Sequence, residues 1–259
     1  MKVAFLGPEG TYTHQAVDQY FSDYQPFTCS SIEKSVESGH VSVIPFENSL
    51  GGGVGESIDL LREKNPGVTG EVLVEIDHVL ASNYNIEDVK SVRSHPQALS
   101  QCREMIEDND WEEIESSSTA KAGQEIEGNE AAICSGLAAE LNNLEILEEH
   151  VQDEASNTTR FLVINGEKNQ NPEKTSLVLE PGEDDPGVLS KMLSCFSDHK
   201  INLSYIQSRP TRDGLGDYYF YLEAEEPKGL GRFQKAMKCL ETYADVKNLG
   251  SYRKGGRNL

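Results

Sequence analysis

The sequence predicts an α/β fold followed by a second, smaller domain, and three observations support this. Short apolar runs of strand length alternate with segments of helical periodicity over about the first 165 residues. A polar stretch bounded by glycine and proline then interrupts the pattern at residues 166–172. Beyond it, the predicted elements follow the order βαββαβ, which is the ferredoxin-like arrangement.

The first part of the chain contains two groups of alternating elements. Strands are predicted at residues 3–6, 41–46, 71–81, 91–94, 131–134 and 161–164. Helices are predicted at residues 14–21, 56–64, 97–106, 120–126 and 136–141. Alternation of strands and helices favours parallel sheets. We expect segment 71–81 to cross from one lobe to the other and the strand at 161–164 to return to the first lobe.

These patterns predict the domain boundaries. The first domain is expected at residues 1–166, with one lobe at about 1–76 and 156–166 and the other at about 77–155. Residues 167–174 are predicted to be a linker, and residues 175–252 the second domain. Its strands are predicted at 175–180, 203–208, 217–225 and 246–252, and its helices at 188–199 and 233–243. The basic, glycine-containing residues 253–259 are predicted to be a disordered tail.

The composition is strongly acidic, with a formal charge of −21. Nucleic acid is therefore excluded as a partner, because phosphate binding needs basic patches. The acidic run at residues 104–115 is typical of a solvated surface. Acidity of this extent resembles proteins of salt-loving organisms, whose cytoplasm screens the repulsion between carboxylates. Lysines outnumber arginines, which argues against that interpretation.

No part of the sequence predicts membrane attachment. Apolar runs stay well short of the ~20 residues that a membrane-spanning helix needs. The apolar run at residues 3–6 is followed at once by a turn signal and is predicted to be a strand, not a signal peptide. We therefore expect a cytoplasmic protein.

The cysteines lie far apart in the sequence. They are Cys29, Cys102, Cys134, Cys195 and Cys239. No pair has the C-x-x-C spacing, and no paired histidines lie nearby. We therefore expect reduced, mostly buried thiols and neither a disulfide framework nor a zinc site.

Arg160 is the arginine whose position most favours a ligand. It directly precedes the apolar strand at 161–164 and follows three hydrogen-bonding side chains at 157–159. A guanidinium offers a planar fork for a carboxylate. The alternative is an ordinary salt bridge, which the many acidic residues would supply, and composition alone favours that alternative.

Hydroxyl and amide side chains cluster at the ends of predicted strands, at residues 7–11, 47–49 and 116–119. In open α/β sheets, ligands bind beyond the carboxyl ends of the strands, where helix amino ends present free N–H groups. Each cluster alone is typical of a helix cap or a turn. Together they indicate one crevice. Residues 7–10 lack the glycine spacing of a dinucleotide or P-loop motif.

Two histidines, His14 and His95, begin predicted helices. Neither has a carboxylate beside it in the sequence. We therefore predict capping and packing roles for both and leave them out of the catalytic set.

Several segments resemble those of prephenate dehydratases, in the same order. They are residues 7–14 (GPEGTYTH), 45–49 (PFENS), 94–99 (SHPQAL), 118–120 (STA) and 157–161 (NTTRF). Residues 186–189 (PGVL) and 207–210 (QSRP) resemble the phenylalanine-binding motifs of the ACT domain that these enzymes carry, although Gln207 stands where glutamate is more usual.

The resemblance covers nearly the whole chain. It implies a monofunctional enzyme with a two-lobed catalytic domain, similar to type II periplasmic binding proteins, and a ferredoxin-like βαββαβ ACT domain. Residues 1–166 would then be the catalytic domain and residues 175–252 the regulatory one.

The resemblance also implies the reaction and the site. Prephenate would lose carbon dioxide and hydroxide to give phenylpyruvate, and because aromatisation drives the reaction no cofactor or metal is expected. Thr159 would donate a hydrogen bond to the leaving oxygen, and Arg160 would anchor a carboxylate. The expected substrate-binding residues are Thr11, Asn48, Ser49, Ser118, Thr119, Asn157 and Phe161.

For the ACT domain, the resemblance implies inhibition by phenylalanine. Its pocket would be formed by the turn Gly187, Val188 and Leu189 and completed by Asn202 and Leu203 across a subunit interface. A four-stranded sheet of this kind exposes edge strands, which proteins usually cover by pairing. We therefore expect a homo-oligomer, a dimer or a tetramer.

Two other functions remain open at this stage. One is a non-catalytic sensor of small anions that uses the same cleft. Such a sensor needs Arg160 but has no use for Thr159 as a donor to a leaving hydroxyl. The other is an arogenate dehydratase, in which the substrate carries an amino acid group in place of the keto acid, and nothing in the sequence decides between those substrates.

Overall fold

The computed structural model describes residues 1–154, 156–182, 185–211 and 217–255. The chain divides into two compact units. One consists of Met1–Gly52 and Leu73–Phe161, and the other of Gly53–Val72 with the described residues from Leu162 onward. Among the described helices, none has the length and hydropathy that crossing a membrane requires.

The elements alternate as the sequence indicates. The strands are β1 (Lys2–Leu6), β2 (Gln25–Cys29), β3 (Val41–Asn48), β4 (Gly52–Gly53), β5 (Val68–Glu75), β6 (Val79–Ser82), β7 (Ser91–Ser94), β8 (Glu112–Glu115), β9 (Glu130–Cys134), β10 (Glu145–Glu148), β11 (Thr158–Ile164), β12 (Lys174–Pro181), β13 (Leu203–Pro210), β14 (Tyr218–Ala224) and β15 (Ala244–Tyr252). The α-helices are α1 (Tyr12–Tyr20), α2 (Ile32–Glu37), α3 (Gly55–Lys64), α4 (Pro96–Gln101), α5 (Arg103–Asp108), α6 (Thr119–Glu125), α7 (Gly136–Leu141), α8 (Val188–Ser197) and α9 (Gly231–Leu240).

The first sheet has the order β2-β1-β3-β11-β5, with β4 paired to β3. Strand β1 runs parallel to both β2 and β3. Val3, Phe5 and Val43 are fully buried. Burial of nearly continuous apolar runs is typical of parallel strands covered on both faces. The carboxyl ends of β1 and β3 therefore lie at the same edge of this sheet.

The second sheet has the order β10-β6-β9-β7-β8 and is mixed. Strand β7 is parallel to β8 and β9, whereas β6 is antiparallel to β9 and β10. Its core includes Leu80, Val92, Leu99 and Ile133. The strand predicted at 71–81 is two strands, because residues 76–78 interrupt it. The expected crossing occurs there, since β5 belongs to the first sheet and β6 to the second.

Most of the strands that the sequence pattern missed lie at sheet edges. Strand β2 borders the first sheet, and β8 and β10 border the second. Each contains few apolar residues, and β8 reads Glu-Glu-Ile-Glu. Edge strands are often charged, which prevents pairing with other chains and removes the apolar alternation that predicts a strand. The helix predicted at 97–106 is likewise two helices, α4 and α5, interrupted at Cys102.

The third sheet has the order β13-β14-β12-β15, and β12 pairs antiparallel with β14 and β15, as does β13 with β14. Leu177 and Leu222 of the sheet share one buried apolar core with Met192 and Phe196 of α8 and Phe233 of α9. This is the predicted βαββαβ unit, with a first strand at Lys174 instead of Thr175. Of the predicted tail, Lys254 and Gly255 donate backbone hydrogen bonds to Glu173 and Glu71, and residues 256–259 lie outside the described residues.

The expectation of reduced thiols throughout is wrong at one pair. Cys195 on α8 and Cys239 on α9 form a disulfide, with a Cα–Cα distance of 5.7 Å. The two residues are 44 apart in sequence, so only the packing of the two helices reveals the pairing. Cys102 and Cys134 are buried thiols, as expected, and burial raises the pKa of each to about 12.

Candidate active site

A cavity of about 240 Å³ lies at the carboxyl ends of β1 and β3, beside the start of β11. It is lined by Thr11, Tyr12, Thr13, Pro45, Asn48, Ile76, His78, His95, Gln97, Ala98, Gln101, Thr119, Asn157, Thr159 and Phe161. Drug-sized ligand pockets usually measure ~300–1,000 Å³. This cavity is therefore suited to a small molecule of about one ring.

Strand geometry explains why residues 157–161 reach this cavity. Side chains alternate between the two faces of a strand. Asn157, Thr159 and Phe161 line the cavity, and the intervening Thr158 and Arg160 do not. Phe161 is buried and Thr159 is 9% exposed. The alternation thus gives the cavity one amide, one hydroxyl and one aromatic wall.

Asn48 organises the polar side of the cavity. Its Nδ2 donates to Asn157 Oδ1 at 2.6 Å and to Thr159 Oγ1 at 2.9 Å. Its Oδ1 accepts from the backbone N–H groups of Leu50 at 2.9 Å and Gly51 at 2.8 Å. An amide has two donor hydrogens and one acceptor oxygen, so these four bonds fix its orientation. Because Thr159 Oγ1 accepts from Asn48, the Thr159 proton is left to donate to a ligand.

Other predicted residues lie at helix starts. Thr11 lines the cavity and caps α1, accepting from the His14 backbone N–H at 3.2 Å. Thr119 lines the cavity as the first residue of α6. Ser118 caps the same helix by accepting from the Lys121 backbone N–H at 3.1 Å, and it is not among the described lining residues.

Ser49 connects two segments of the backbone by hydrogen bonds. Its Oγ accepts from the Thr158 backbone N–H at 3.0 Å, and its own N–H donates to the Thr158 carbonyl at 2.9 Å. Ser49 is not among the described residues that line the cavity. It therefore joins the loop after β3 to the start of β11.

Of the predicted substrate-binding and catalytic residues, those that line the cavity together are Thr11, Asn48, Thr119, Asn157, Thr159 and Phe161.

Arg160 points to the other face of β11. Its Nη2 lies 2.9 Å from Glu47 Oε2, and its Nε lies 3.2 Å from the same atom. The guanidinium also lies over the ring of Phe46, at 4.6 Å from the centroid. The ordinary salt bridge is thus present. The predicted role as carboxylate anchor stays a prediction.

His78 is a lining residue that the sequence pattern did not indicate. Its Nδ1 lies 2.8 Å from the Tyr12 hydroxyl, and its Nε2 lies 3.1 Å from Gln101 Oε1. Burial lowers the pKa of His78 and raises that of Tyr12, so both are uncharged near pH 7. His78 lies in the break between β5 and β6, which the apolar pattern had joined into one strand.

The two histidines set aside from the catalytic set make packing and capping contacts, and their exclusion from catalysis stays a prediction. His14 is buried, accepts from the Gly10 backbone N–H at 3.0 Å and stacks on Phe5. His95 caps α4 by accepting from the Gln97 backbone N–H at 3.2 Å, and it also lines the cavity. Gln97 belongs to the SHPQAL segment and lines the cavity too, although the sequence pattern gave it no role.

The described lining of the cavity contains no carboxylate, ammonium or guanidinium group, in contrast to the acidic protein as a whole. Among its described lining residues there is no aspartate, glutamate, lysine or arginine. The chain nevertheless carries a formal charge of −21. A lining without carboxylates lets hydroxyl, amide and imidazole groups donate to an anionic ligand, with no like charge in contact to repel it.

The residues predicted to bind an effector lie at two places in the third sheet and its helices. Gly187 precedes α8 in a left-handed conformation, with φ of 85°. Val188 is buried, and Leu189 packs against the core of this domain, as does Leu203. Asn202 donates to Glu225 Oε2 at 2.7 Å. Their meeting across a subunit interface stays a prediction.

Comparison with known proteins identifies the family. The prephenate dehydratase family model matches residues 3–169, which include every described lining residue of the cavity. The chain belongs to the prephenate dehydratase family. The ACT domain model matches residues 182–240. Both assignments confirm the resemblance read from the sequence.

Two curated relatives cover nearly all of the chain. A prephenate dehydratase of Methanocaldococcus jannaschii is 37% identical over 96% of this chain and 97% of its own length. A bifunctional chorismate mutase/prephenate dehydratase of Aquifex aeolicus is 38% identical over 98% of this chain and 74% of its own length.

Two solved structures share the fold over almost the entire chain. The prephenate dehydratase of Arthrobacter aurescens, in complex with L-Phe, has a TM-score of 0.88 and 30% identity, covering 98% of this chain and 90% of its own. A structure described as a novel type of quorum quenching acylase has a TM-score of 0.90 and 25% identity, covering 98% of both chains. The predicted two-lobed fold with an ACT domain is confirmed.

Proposed function

We propose that this family member is a prephenate dehydratase, a carbon–oxygen lyase that converts prephenate to phenylpyruvate, carbon dioxide and water. The observation that carries the proposal is the Thr159 hydroxyl, which accepts a hydrogen bond from Asn48 at 2.9 Å on the wall of a small cavity whose described lining has no carboxylate, ammonium or guanidinium group. Family membership supplies the reaction class, and the cavity geometry supports the roles of the residues.

The reaction requires little from the protein beyond binding and one donor. The electron pair of the bond between the ring and its carboxylate moves into the ring as carbon dioxide leaves, and the carbon–oxygen bond on the opposite side of the ring breaks. One proton converts the departing hydroxide to water. Aromatisation drives both bond cleavages, so the reaction balances without an oxidant or a reductant.

Thr159 would donate to the departing oxygen. A threonine hydroxyl is a poor acid, so its contribution is a fixed hydrogen bond that strengthens as negative charge develops on that oxygen. Asn48 supports this role, since it occupies the acceptor side of the hydroxyl and leaves the proton directed elsewhere. Phe161 would form the wall against which the ring packs.

Hydroxyl, amide and imidazole groups would bind the substrate carboxylates. Thr119 begins α6, and His95 and Gln97 lie at the amino end of α4, so their hydroxyl, imidazole and amide groups line the cavity. Thr11 and Asn157 complete the set. Ser118 would support it by capping α6, and Ser49 by its hydrogen bond to the start of β11.

We keep Arg160 as the proposed carboxylate anchor. Because it also pairs with Glu47, a substitution can distinguish substrate binding from a purely structural ion pair. If the guanidinium reaches the substrate, Arg160→Ala raises KM for prephenate. An unchanged KM together with a lower melting temperature would assign Arg160 to the ion pair alone.

The experiment that tests the function offers prephenate and arogenate separately to the purified protein, following phenylpyruvate and phenylalanine as products. We expect phenylpyruvate from prephenate. Phenylalanine formed from arogenate at a higher kcat/KM would make the protein an arogenate dehydratase instead. Binding of prephenate without any turnover would favour the alternative of a small-anion sensor.

We also propose that phenylalanine inhibits the enzyme through the ACT domain and that the protein is a homo-oligomer, a dimer or a tetramer. The solved relative from Arthrobacter aurescens holds L-Phe. Gly187, with its φ of 85°, would let the chain turn closely around the ligand carboxylate at the start of α8.

Titration with phenylalanine tests the regulatory proposal. Both activity and calorimetry should respond in the wild type, and Gly187→Asp should remove both responses while leaving turnover intact. No heat of binding and no inhibition at millimolar phenylalanine would contradict regulation, and a monomer by light scattering would contradict the oligomer.

A further inference from the structure

We propose that Arg209 is a positioning residue for Asn48, acting through the start of α3 and the glycine segment at residues 51–53. Only the kinetic part of its test depends on the proposed dehydratase activity. The QSRP motif, which contains Arg209, resembles an effector-binding motif, but its contacts in this chain lead toward the cavity residues instead.

Arg209 holds α3 by a two-bond ion pair. Its Nε donates to Asp59 Oδ1 at 2.8 Å and its Nη2 to Asp59 Oδ2 at 2.7 Å. The side chains are 23% and 11% exposed. Tyr219, 1% exposed, donates to the same Asp59 Oδ1 at 2.5 Å. A two-bond arginine–carboxylate pair fixes distance and direction at once, so the helix is held in one place.

Neighbouring contacts reinforce this hold. Arg62, one turn after Asp59 on α3, lies over the Tyr219 ring at 4.9 Å and pairs with Glu180 at 3.0 Å. Lys247 pairs with the same glutamate at 2.6 Å and donates to the Arg62 carbonyl at 3.3 Å. Each of the strands β12 to β15 therefore contributes a side chain that contacts α3.

One face of β13 also covers the chain just before α3 and the first residue of that helix. Tyr205, Gln207 and Arg209 alternate onto one face of the strand. A Cβ added to Gly53 would overlap Gln207 and the Tyr205 hydroxyl, and a Cβ added to Gly55 would overlap the Arg209 guanidinium. The backbone at these two glycines thus lies directly against the QSRP motif and its neighbour.

The chain leads from Gly53 to the cavity in five residues. Strand β4, which includes Gly53, pairs with β3. Just before it, Leu50 and Gly51 donate the two backbone hydrogen bonds that fix the Asn48 carboxamide. If the far end of the glycine segment moves, these two N–H groups lose their alignment. Asn48 then no longer presents Nδ2 to Thr159.

Hydrogen exchange tests this chain of contacts without any substrate. We compare wild type, Arg209→Met and Arg93→Met. Arg93 is the matched control, since it makes a two-bond ion pair with Glu130 at 2.9 and 3.2 Å. The exposed fractions of these two side chains, 18% and 14%, are similar to those of Arg209 and Asp59. Arg209→Met should accelerate exchange in the peptide covering residues 48–53 about tenfold, and Arg93→Met should leave it unchanged.

Kinetics then tests whether the effect passes through Asn48. Arg209→Met should lower kcat for prephenate about tenfold with little change in KM, whereas Arg93→Met should keep kcat. In the Asn48→Ala background, Arg209→Met should add no further loss, because the group that it positions is already absent.

Separate outcomes identify which claim fails. Unchanged exchange at residues 48–53 in Arg209→Met overturns the proposal, as do losses of kcat that add independently in the double variant. Absence of turnover in the wild type contradicts the proposed function, while the exchange result still decides the role of Arg209. If Arg209→Met does not fold, Arg209→Lys, which keeps the charge and loses the fork, takes its place with the same expectations.

Discussion

The Asn48 carboxamide donates from Nδ2 to the Thr159 hydroxyl at 2.9 Å, and these residues are 111 apart in the sequence. Since the Asn48 oxygen is held by Leu50 and Gly51, the amide cannot rotate to reverse this bond without losing two others. Thr159 therefore does not donate to Asn48, and its proton stays available to a ligand in a preorganised site of the kind that stabilises developing charge.

Asn48→Asp should reverse this hydrogen bond. A carboxylate accepts only, so Thr159 would donate to it and not to the substrate, and a negative charge would face an anion. We expect kcat/KM for prephenate to fall about 10²–10³-fold. Asn143→Asp, a change of the same kind at an exposed position, is the control and should retain activity. Equal activity of both variants would contradict the role of Asn48.

The disulfide should stabilise the carboxyl-terminal domain. It closes a loop with a sequence separation of 44, for which chain entropy predicts about 4 kcal/mol of stabilisation. Reductant should lower the melting temperature of the wild type, with alkylation of two further thiols visible in the intact mass. Cys239→Ser has no disulfide to break and should not respond. If reductant leaves the melting temperature of the wild type unchanged as well, the Cys195–Cys239 disulfide is contradicted.

His78 should make stability depend on pH. Burial lowers its pKa below the usual 6.5, so in acid the unfolded chain binds a proton that the folded chain resists. The contribution of neutral His78 to the free energy of unfolding is therefore fully present above pH 6.5 and is lost as the pH falls toward the folded-state pKa. His150 acts in the opposite sense, because Asp77 raises its pKa.

Urea unfolding of wild type and His78→Gln, between about pH 7.5 and about pH 5, isolates this effect. The free energy of unfolding should fall more steeply on acidification in the wild type than in the variant. Parallel curves would show that His78 does not titrate differently in the folded and unfolded chains.

Salt should stabilise the fold, because a formal charge of −21 is concentrated on carboxylates. The Debye length falls from ~10 Å at 0.1 M to ~3 Å at 1 M salt, which screens the repulsion between them. We expect the melting temperature to rise between dilute buffer and molar potassium chloride. A constant or lower melting temperature would remove the argument for a salt-rich environment.

The sequence predicted elements whose signal is local. Apolar alternation and glycine turns indicated β1, β3, β7 and the whole βαββαβ unit, because each depends on residues close together in the chain. The strands β2, β8 and β10 escaped detection because they are edge strands with few apolar residues. Cys195 and Cys239 meet only through the packing of two helices, and no local pattern reports that contact.

In the candidate site, too, the sequence predicted local features but not the orientation of the side chains. The motifs indicated Thr11, Asn48, Asn157 and Thr159, but motif position alone did not say which side chains face the cavity. Alternation along β11 turns Arg160 away from the face on which Thr159 lies. His78 was missed because its position falls in a break between strands, which apolar periodicity does not register.

Thr159 provides the most direct test of the central claim, the conversion of prephenate to phenylpyruvate. The measurement is phenylpyruvate formation from prephenate by wild type, Thr159→Ala and Thr158→Ala, the last being the neighbouring threonine on the opposite face of β11. Wild type and Thr158→Ala should turn over, and Thr159→Ala should bind prephenate but lose about 10²–10³ in kcat. Near-normal turnover by Thr159→Ala, or no phenylpyruvate from the wild type, would contradict the account.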